Sequence, residues 1–210
     1  MKKNGLLLPL LLLLAALCGC ASGWGAPEYT EKPVIYLYPE EETEVRVQLD
    51  YDGKLTCTYP ESDGSWRVTA QPDGTLTDET GRQYNYLFWE GIADSEWDLS
   101  QGYVVPGGET CSFLEDTLKT LGLTDGEAGD FISYWLPRMQ DNAYNLITFQ
   151  QEAYTDGARL TIDPQPDTIL RVYMVFKPLE HPIAVDTPEL SETVREGFTV
   201  VEWGGTELPE

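Results

Sequence analysis

The chain has 210 residues, with 13 Lys+Arg against 36 Asp+Glu and a formal net charge of −23. So acidic a surface is repelled by phosphate backbones, which excludes nucleic acid as a partner. With 41% hydrophobic and 11% aromatic residues it is too apolar for a disordered acidic tail, and the length suits one domain with a tether.

At the start, Lys2 and Lys3 precede an apolar stretch, Leu6 to Leu17. It is too short for a bilayer, which needs about 20 apolar residues. Leu17-Cys18-Gly19-Cys20 follows, an aliphatic residue, two small residues and a cysteine. The pattern resembles the bacterial lipobox. That resemblance implies that residues 1–19 are a lipoprotein signal peptide, and that Cys20 becomes the first residue of the mature chain. It also implies that Cys20 carries fatty acyl groups such as palmitate. Two acyl chains hold a protein stably where one does not, so the protein is expected at the cell membrane, lipid-anchored and facing outside the cytoplasm. Residues 20–32 then read as the lipidated cysteine and a tether, 33–205 as a single globular domain and 206–210 as a tail.

From residue 33 strands dominate. Val34–Tyr38 is a short continuous apolar run stopped by Pro39, the pattern of a buried strand. Glu44–Tyr51 alternates, with Val45, Val47 and Leu49 inward. Asp52-Gly53 reads as a hairpin turn into Leu55–Tyr59. Trp66–Ala70 and Thr75–Thr77 flank a Pro72-Asp73-Gly74 turn, and Gln83–Trp89 is the next strand. The period then changes. Thr110–Leu121 and Asp125–Leu136 read as helices, the second opened by Thr124 and Glu127 at capping-box spacing and ended or kinked before Pro137. Strands resume at Tyr144–Phe149, Arg159–Ile162 and Ile169–Phe176. A short helix over Pro188–Glu196 and a closing strand at Phe198–Trp203 complete the chain. The sum is an α+β domain, mainly antiparallel β in a sheet or sandwich, with an inserted helical pair.

Cys57 alternates with Leu55 and Tyr59, and Cys111 shares a helical face with Leu114, Leu118 and Leu121. Both are expected to point inward. Two readings fit them: buried free thiols, or an exported protein's disulfide contributing about 4 kcal/mol.

Catalytic signals are sparse. His181 is the only histidine and lies in a loop-like Glu180-His181-Pro182, there is no Gly-x-Ser-x-Gly elbow, and no Cys-x-x-Cys pairs with histidines for zinc. Catalytic residues are therefore unassigned, and no metal or cofactor is expected. Asp94, Glu96 and Asp98 stand at every second residue like half of a calcium loop, but Leu99 and Val105 occupy the places of its glycine and bidentate glutamate. That leaves an irregular Ca²⁺ site or an acidic solvated loop. Aromatics are plentiful, with 12 Tyr and 6 Trp. Aromatic faces cover sugar C–H groups while nearby carboxylates and amides take hydroxyls. The segment Trp89, Glu90, Asp94, Glu96, Trp97 and Asp98 holds both kinds of residue at a strand-to-loop junction, and it is the candidate ligand site. Glu90 beside Trp89 could serve a glycosidase as acid, with Asp94, Glu96 or Asp98 as its partner.

Several runs stand out together: Lys32–Pro39, Tyr86–Glu90, Tyr134–Pro137, Val201–Gly205 and the turn at Pro72–Leu76. In combination they resemble an uncharacterised family of exported or lipid-anchored proteins of Gram-positive gut and soil bacteria, with distant fungal relatives. The resemblance spans roughly residues 32–205. It implies one domain and transfers no catalytic residue. The expectation is a cell-surface lipoprotein, most simply a non-catalytic module for a glycan, wall polymer or envelope protein, with a carboxylate-based glycoside hydrolase as the alternative.

Overall fold

The computed structural model describes residues 28–209. The expectations for the signal peptide, Cys20 and the first part of the tether lie outside these residues. In chain order the strands are β1 (Glu28–Tyr38), β2 (Thr43–Tyr51), β3 (Lys54–Tyr59), β4 (Ser65–Ala70), β5 (Leu76–Thr77), β6 (Gln83–Tyr84), β7 (Leu87–Ala93) and β8 (Tyr103–Pro106). Two helices follow, α1 (Thr110–Thr120) and α2 (Asp125–Met139), then β9 (Tyr144–Gln150), α3 (Glu152–Gly157), β10 (Ala158–Asp163), β11 (Thr168–Leu179) and β12 (Thr199–Glu207).

The strands form a seven-stranded sheet, β3-β7-β1-β12-β11-β9-β8, and a five-stranded sheet, β10-β2-β4-β5-β6. The continuous apolar runs in β1, β11 and β12 follow from burial on both faces. Ile35, Leu37, Tyr173, Val175 and Val200 pack with Val45, Val47, Trp66 and Val68 of the smaller sheet. On the opposite face Val34, Tyr36, Val172, Met174 and Trp203 pack with Leu114, Leu118, Phe131 and Trp135 of α1 and α2. The result is three layers: helical pair, large sheet, small sheet. The fold is α+β and mostly antiparallel, with one parallel pair, β11 with β12.

The capping box of α2 forms, with Thr124 Oγ1 accepting from Glu127 N and Glu127 Oε2 accepting from Thr124 N. Pro137 does not end the helix, which runs on to Met139. The proline stands within a turn of the C-terminus, where its missing N–H costs a single bond, and the buried Trp135 and Met139 hold the last turn against the sheet.

Other expectations change. Residues 28–32 belong to β1, paired with β7 and β12, not to a tether, and 206–208 are not a tail: β12 runs to Glu207, and the buried Leu208 donates its N–H to Phe176 O at 2.8 Å. Asp52-Gly53 joins no hairpin. Both edges of β2 are already taken, by β4 and β10, so the chain crosses and β3 pairs with β7 in the other sheet. The run Gln83–Trp89 likewise divides between the sheets as β6 and β7. Residues 188–196 form no helix, because their backbone is engaged elsewhere. Pro188 O accepts from Tyr103 Oη at 2.7 Å, and Thr168 Oγ1 bonds both Glu196 N and Glu196 O. Cys57 is exposed, because a bulge between Leu55 and Cys57 shifts the alternation; Cys111 is half-buried, and both are free thiols.

The runs that carry the family resemblance pack on one another. Lys32 takes a left-handed backbone (φ 60°) in the bulge of β1, and its ammonium lies 5.0 Å from the Tyr86 ring centre, 5.1 Å from Phe88 and 5.9 Å from Tyr134. A Cβ on Gly204 would come within 3.0 Å of Pro33, and one on Gly205 within 2.8 Å of Trp135. These runs build the frame.

Between β5 and β6, Asp78 accepts hydrogen bonds from Thr80 N, Thr80 Oγ1, Arg82 N and Tyr84 Oη. Thr80 foremost, then Tyr84, holds its carboxyl well below the usual range. A carboxyl lowered in the folded state stabilises at pH above its unfolded pKa of about 3.9 and loses that contribution as pH falls. Asp78→Asn should therefore be less stable than the parent at pH 7, with the gap closing as pH drops below about 4. Urea denaturation at both pH values checks this, and an unchanged gap would refute it.

Candidate functional site

Beneath the candidate segment lies a buried ion pair. Arg171 of β11 and Glu202 of β12 are register partners in the parallel ladder. Arg171 Nε donates to Glu202 Oε2 at 2.6 Å, and the side chains are 11% and 0% exposed. Trp89 Nε1 of β7 donates to the other carboxylate oxygen at 3.1 Å. Burial works against the charged guanidinium, but Glu202 outweighs it and raises the Arg171 pKa. The guanidinium carbon sits 4.7 Å from the centre of the Tyr154 ring. Tyr154 stacks on Tyr173 at 4.0 Å, and Tyr173 stacks on Trp97 at 5.1 Å. Burial first, then the charge of Glu202, pushes the Tyr154 hydroxyl far above its ordinary range.

Above this stack, where β1, β2 and β7 meet α3, a pocket of about 230 Å³ opens. Asp94, Glu96 and Trp97 of the candidate segment line it together with Tyr51, Asp52 and Asp156. Thr30 Oγ1 and Tyr51 Oη share a hydrogen bond at 2.9 Å in its wall. The Tyr51 ring can settle there because Gly91 lacks a side chain; a Cβ would lie 2.3 Å from Tyr51 Cε1. Burial raises the Tyr51 pKa, against the Thr30 bond, so this hydroxyl stays neutral.

Asp98 turns to a second, larger pocket of about 590 Å³, whose lining includes Gln101, Phe149, Gln151 and Glu189. Its carboxylate accepts from Ser100 N at 2.9 Å, and the Ser100 contacts lower its pKa. Gln150 clamps this stretch to β9: its Nε2 donates to Asp98 O at 2.8 Å, and its Oε1 accepts from Asp98 N at 3.3 Å.

The six candidate residues are thus divided among four surroundings. Trp89 is fully buried and its N–H is spent on Glu202, so it is core. Glu90, one residue on, faces the helix side of the sheet, where Lys32 N donates to Glu90 Oε1 at 3.4 Å. Alternation along β7 therefore puts Glu90 across the sheet from the pocket, and the glycosidase pairing built on it is not assembled. Asp94, Glu96 and Trp97 share one pocket, and Asp98 lines the other. The same division separates the three carboxylates of the calcium reading, and among the described residues no group of three or more His, Cys, Asp or Glu side chains is placed to hold a metal ion. His181 is exposed, beyond β11.

Tyr51, Asp52, Tyr154 and Asp156 escaped sequence reasoning. Asp52-Gly53 carries an ordinary turn signal, and nothing local reveals that it closes on Gly157, whose carbonyl accepts from Asp52 N at 2.7 Å. The larger pocket was not foreseen either: residues 180–198, read from the sequence as broken by a short helix, form a long connection whose one bridge pairs Asp186 with Gln101, a length commonly tied to function.

An uncharacterized protein in the bglA 3′ region of Butyrivibrio fibrisolvens is 51% identical to this chain over 84 residues, 38% of this chain and 86% of that protein. The chain belongs to that protein's family. No family model matches the chain, and no solved structure matches it. The relative brings membership and no activity.

Removing one member of a buried ion pair leaves an uncompensated charge, at a cost of about 3–5 kcal/mol. Arg171→Met should destabilise by that amount in urea titrations, and adding Glu202→Leu should recover much of the loss. A single variant near parental stability would refute the structural role of the pair.

Proposed function

We propose that the protein is a non-catalytic binding module, held outside the cytoplasmic membrane by lipid on Cys20, that takes a glycan or wall polymer in the pocket beside Trp97. The observation that carries this reading is the convergence of Asp94, Glu96 and Trp97 with Tyr51 and Asp52 around one opening. An indole and a phenol offer apolar faces, and four carboxylates, Asp52, Asp94, Glu96 and Asp156, offer acceptors for hydroxyls. No Lys, Arg or His lines the pocket. The glycan is therefore neutral or amine-bearing, since a uronate or a phosphate polymer would meet only like charge. The hydrolase alternative loses its proposed acid, because Glu90 stands across the sheet. An envelope protein as partner is the third reading, and the test below separates it.

The mature chain carrying Cys20→Ser is to be screened by thermal shift against neutral, amine-bearing and anionic glycans and wall fragments, with Ca²⁺ and EDTA controls. A ligand at 100 times its Kd adds about 2.7 kcal/mol, which raises the melting temperature of a chain this long by roughly 5–10 °C. Trp97→Ala should abolish that rise, whereas Glu90→Gln should leave it intact. A flat panel across every glycan would sink the reading and favour an envelope protein.

A further inference from the structure

Resting on that reading, we infer that the two pockets are subsites of one cleft, and that the ligand is an oligomeric chain rather than a single sugar. Ala153 of α3 lines both pockets, is exposed, and carries only a methyl group. The other element between them is the peptide joining Trp97, in the wall of the smaller pocket, to Asp98, in the wall of the larger. That peptide is held in place: Gln150, itself buried, bonds Asp98 N and O and donates to Thr148 Oγ1 at 2.7 Å. A shared wall of one small side chain and one clamped peptide, with an opening on each side, lets a single chain lie across both openings.

Size supports the same conclusion. Ligand pockets commonly enclose about 300–1,000 Å³. The smaller pocket, about 230 Å³, falls below that range, while the larger, about 590 Å³, lies well inside it. Taken together they offer room for several sugar units. The chemistry also continues across the shared wall. The larger pocket, which wraps the end of β9 toward the helical face, adds the half-buried ring of Phe149 on that face and the amides of Gln101 and Gln151, and its charged lining residues, Asp98, Glu152 and Glu189, are all acidic. Both subsites thus combine rings with acceptors and reject polyanions. A chain engaging both gains because its second contact is intramolecular.

The test uses calorimetry of the mature Cys20→Ser chain with cello-, xylo- and chito-oligosaccharides, and deacetylated chito-oligosaccharides, from the monosaccharide to the hexasaccharide. In the series that binds, affinity should rise by about 10²-fold between the monosaccharide and a chain that spans both pockets. Trp97→Ala and Phe149→Ala should each remove most of that gain. Ala153→Phe, at an exposed position of the shared wall, should bring the hexasaccharide down to the affinity of the monosaccharide without lowering the melting temperature. Equal affinity at every length, or a Phe149→Ala variant that binds the hexasaccharide like the parent, would overturn the two-subsite cleft and leave the single-pocket module standing. No binding in any series would overturn the module itself.

Discussion

The pairing of β11 with β12 is the constraint on which the rest of the molecule depends. It is a parallel pair at the centre of the large sheet, covered by helices on one face and by the small sheet on the other. Two consequences follow. Register places Arg171 beside Glu202 inside the protein, where their charges must be matched, and Trp89 reaches over from β7 to complete the match. Parallel neighbours also cannot be joined by a tight turn. The chain must leave the sheet and return, and residues 180–198 make that journey.

Each consequence builds one side of the proposed cleft. The charged pair is roofed by Tyr154, and Tyr173 carries the stack on to Trp97, so the wall of the smaller pocket rests on the buried network. The long crossover passes the edge strand β8, where Gly102 N donates to Asp186 O at 2.9 Å, and its residues 188–191 wall the larger pocket. Pocket walls and frame are therefore mechanically joined but chemically distinct. The runs that carry the family resemblance belong to the frame, meeting around Lys32 and along β12, and supply none of the residues lining the two pockets.

Four of the described cations serve the frame, while Arg46, Lys54, Arg67, Arg82, Lys119 and Arg159 are exposed. Lys32 is enclosed by aromatic rings, Arg138 bonds Glu31 at 2.6 Å, Arg171 bonds Glu202, and Arg195 pairs with Glu127 and donates to Gly122 O. Around Arg138, burial pushes the Tyr134 hydroxyl up to about 12, so that ring remains a neutral hydrogen-bonding partner of Glu31. Neither pocket has a Lys, Arg or His in its lining, so both rims are acidic.

Local rules account for much of the frame. Alternation in Thr43–Tyr51, the Thr124–Glu127 capping box, the turn at Pro72-Asp73-Gly74 and the apolar runs at Val34–Tyr38 and Ile169–Phe176 are contained within a few residues each, and each forms as those residues dictate. The sequence by itself determined the mixed class, the helical pair and the acidic character of the whole. Which edge was free to receive β3, where β7 turned Glu90 away from Trp97, and how α3 closed over Arg171 were decided only by the tertiary structure. Those choices depend on strand partners far away in the chain, and on which face of a sheet is already covered, quantities that no local pattern of side chains encodes.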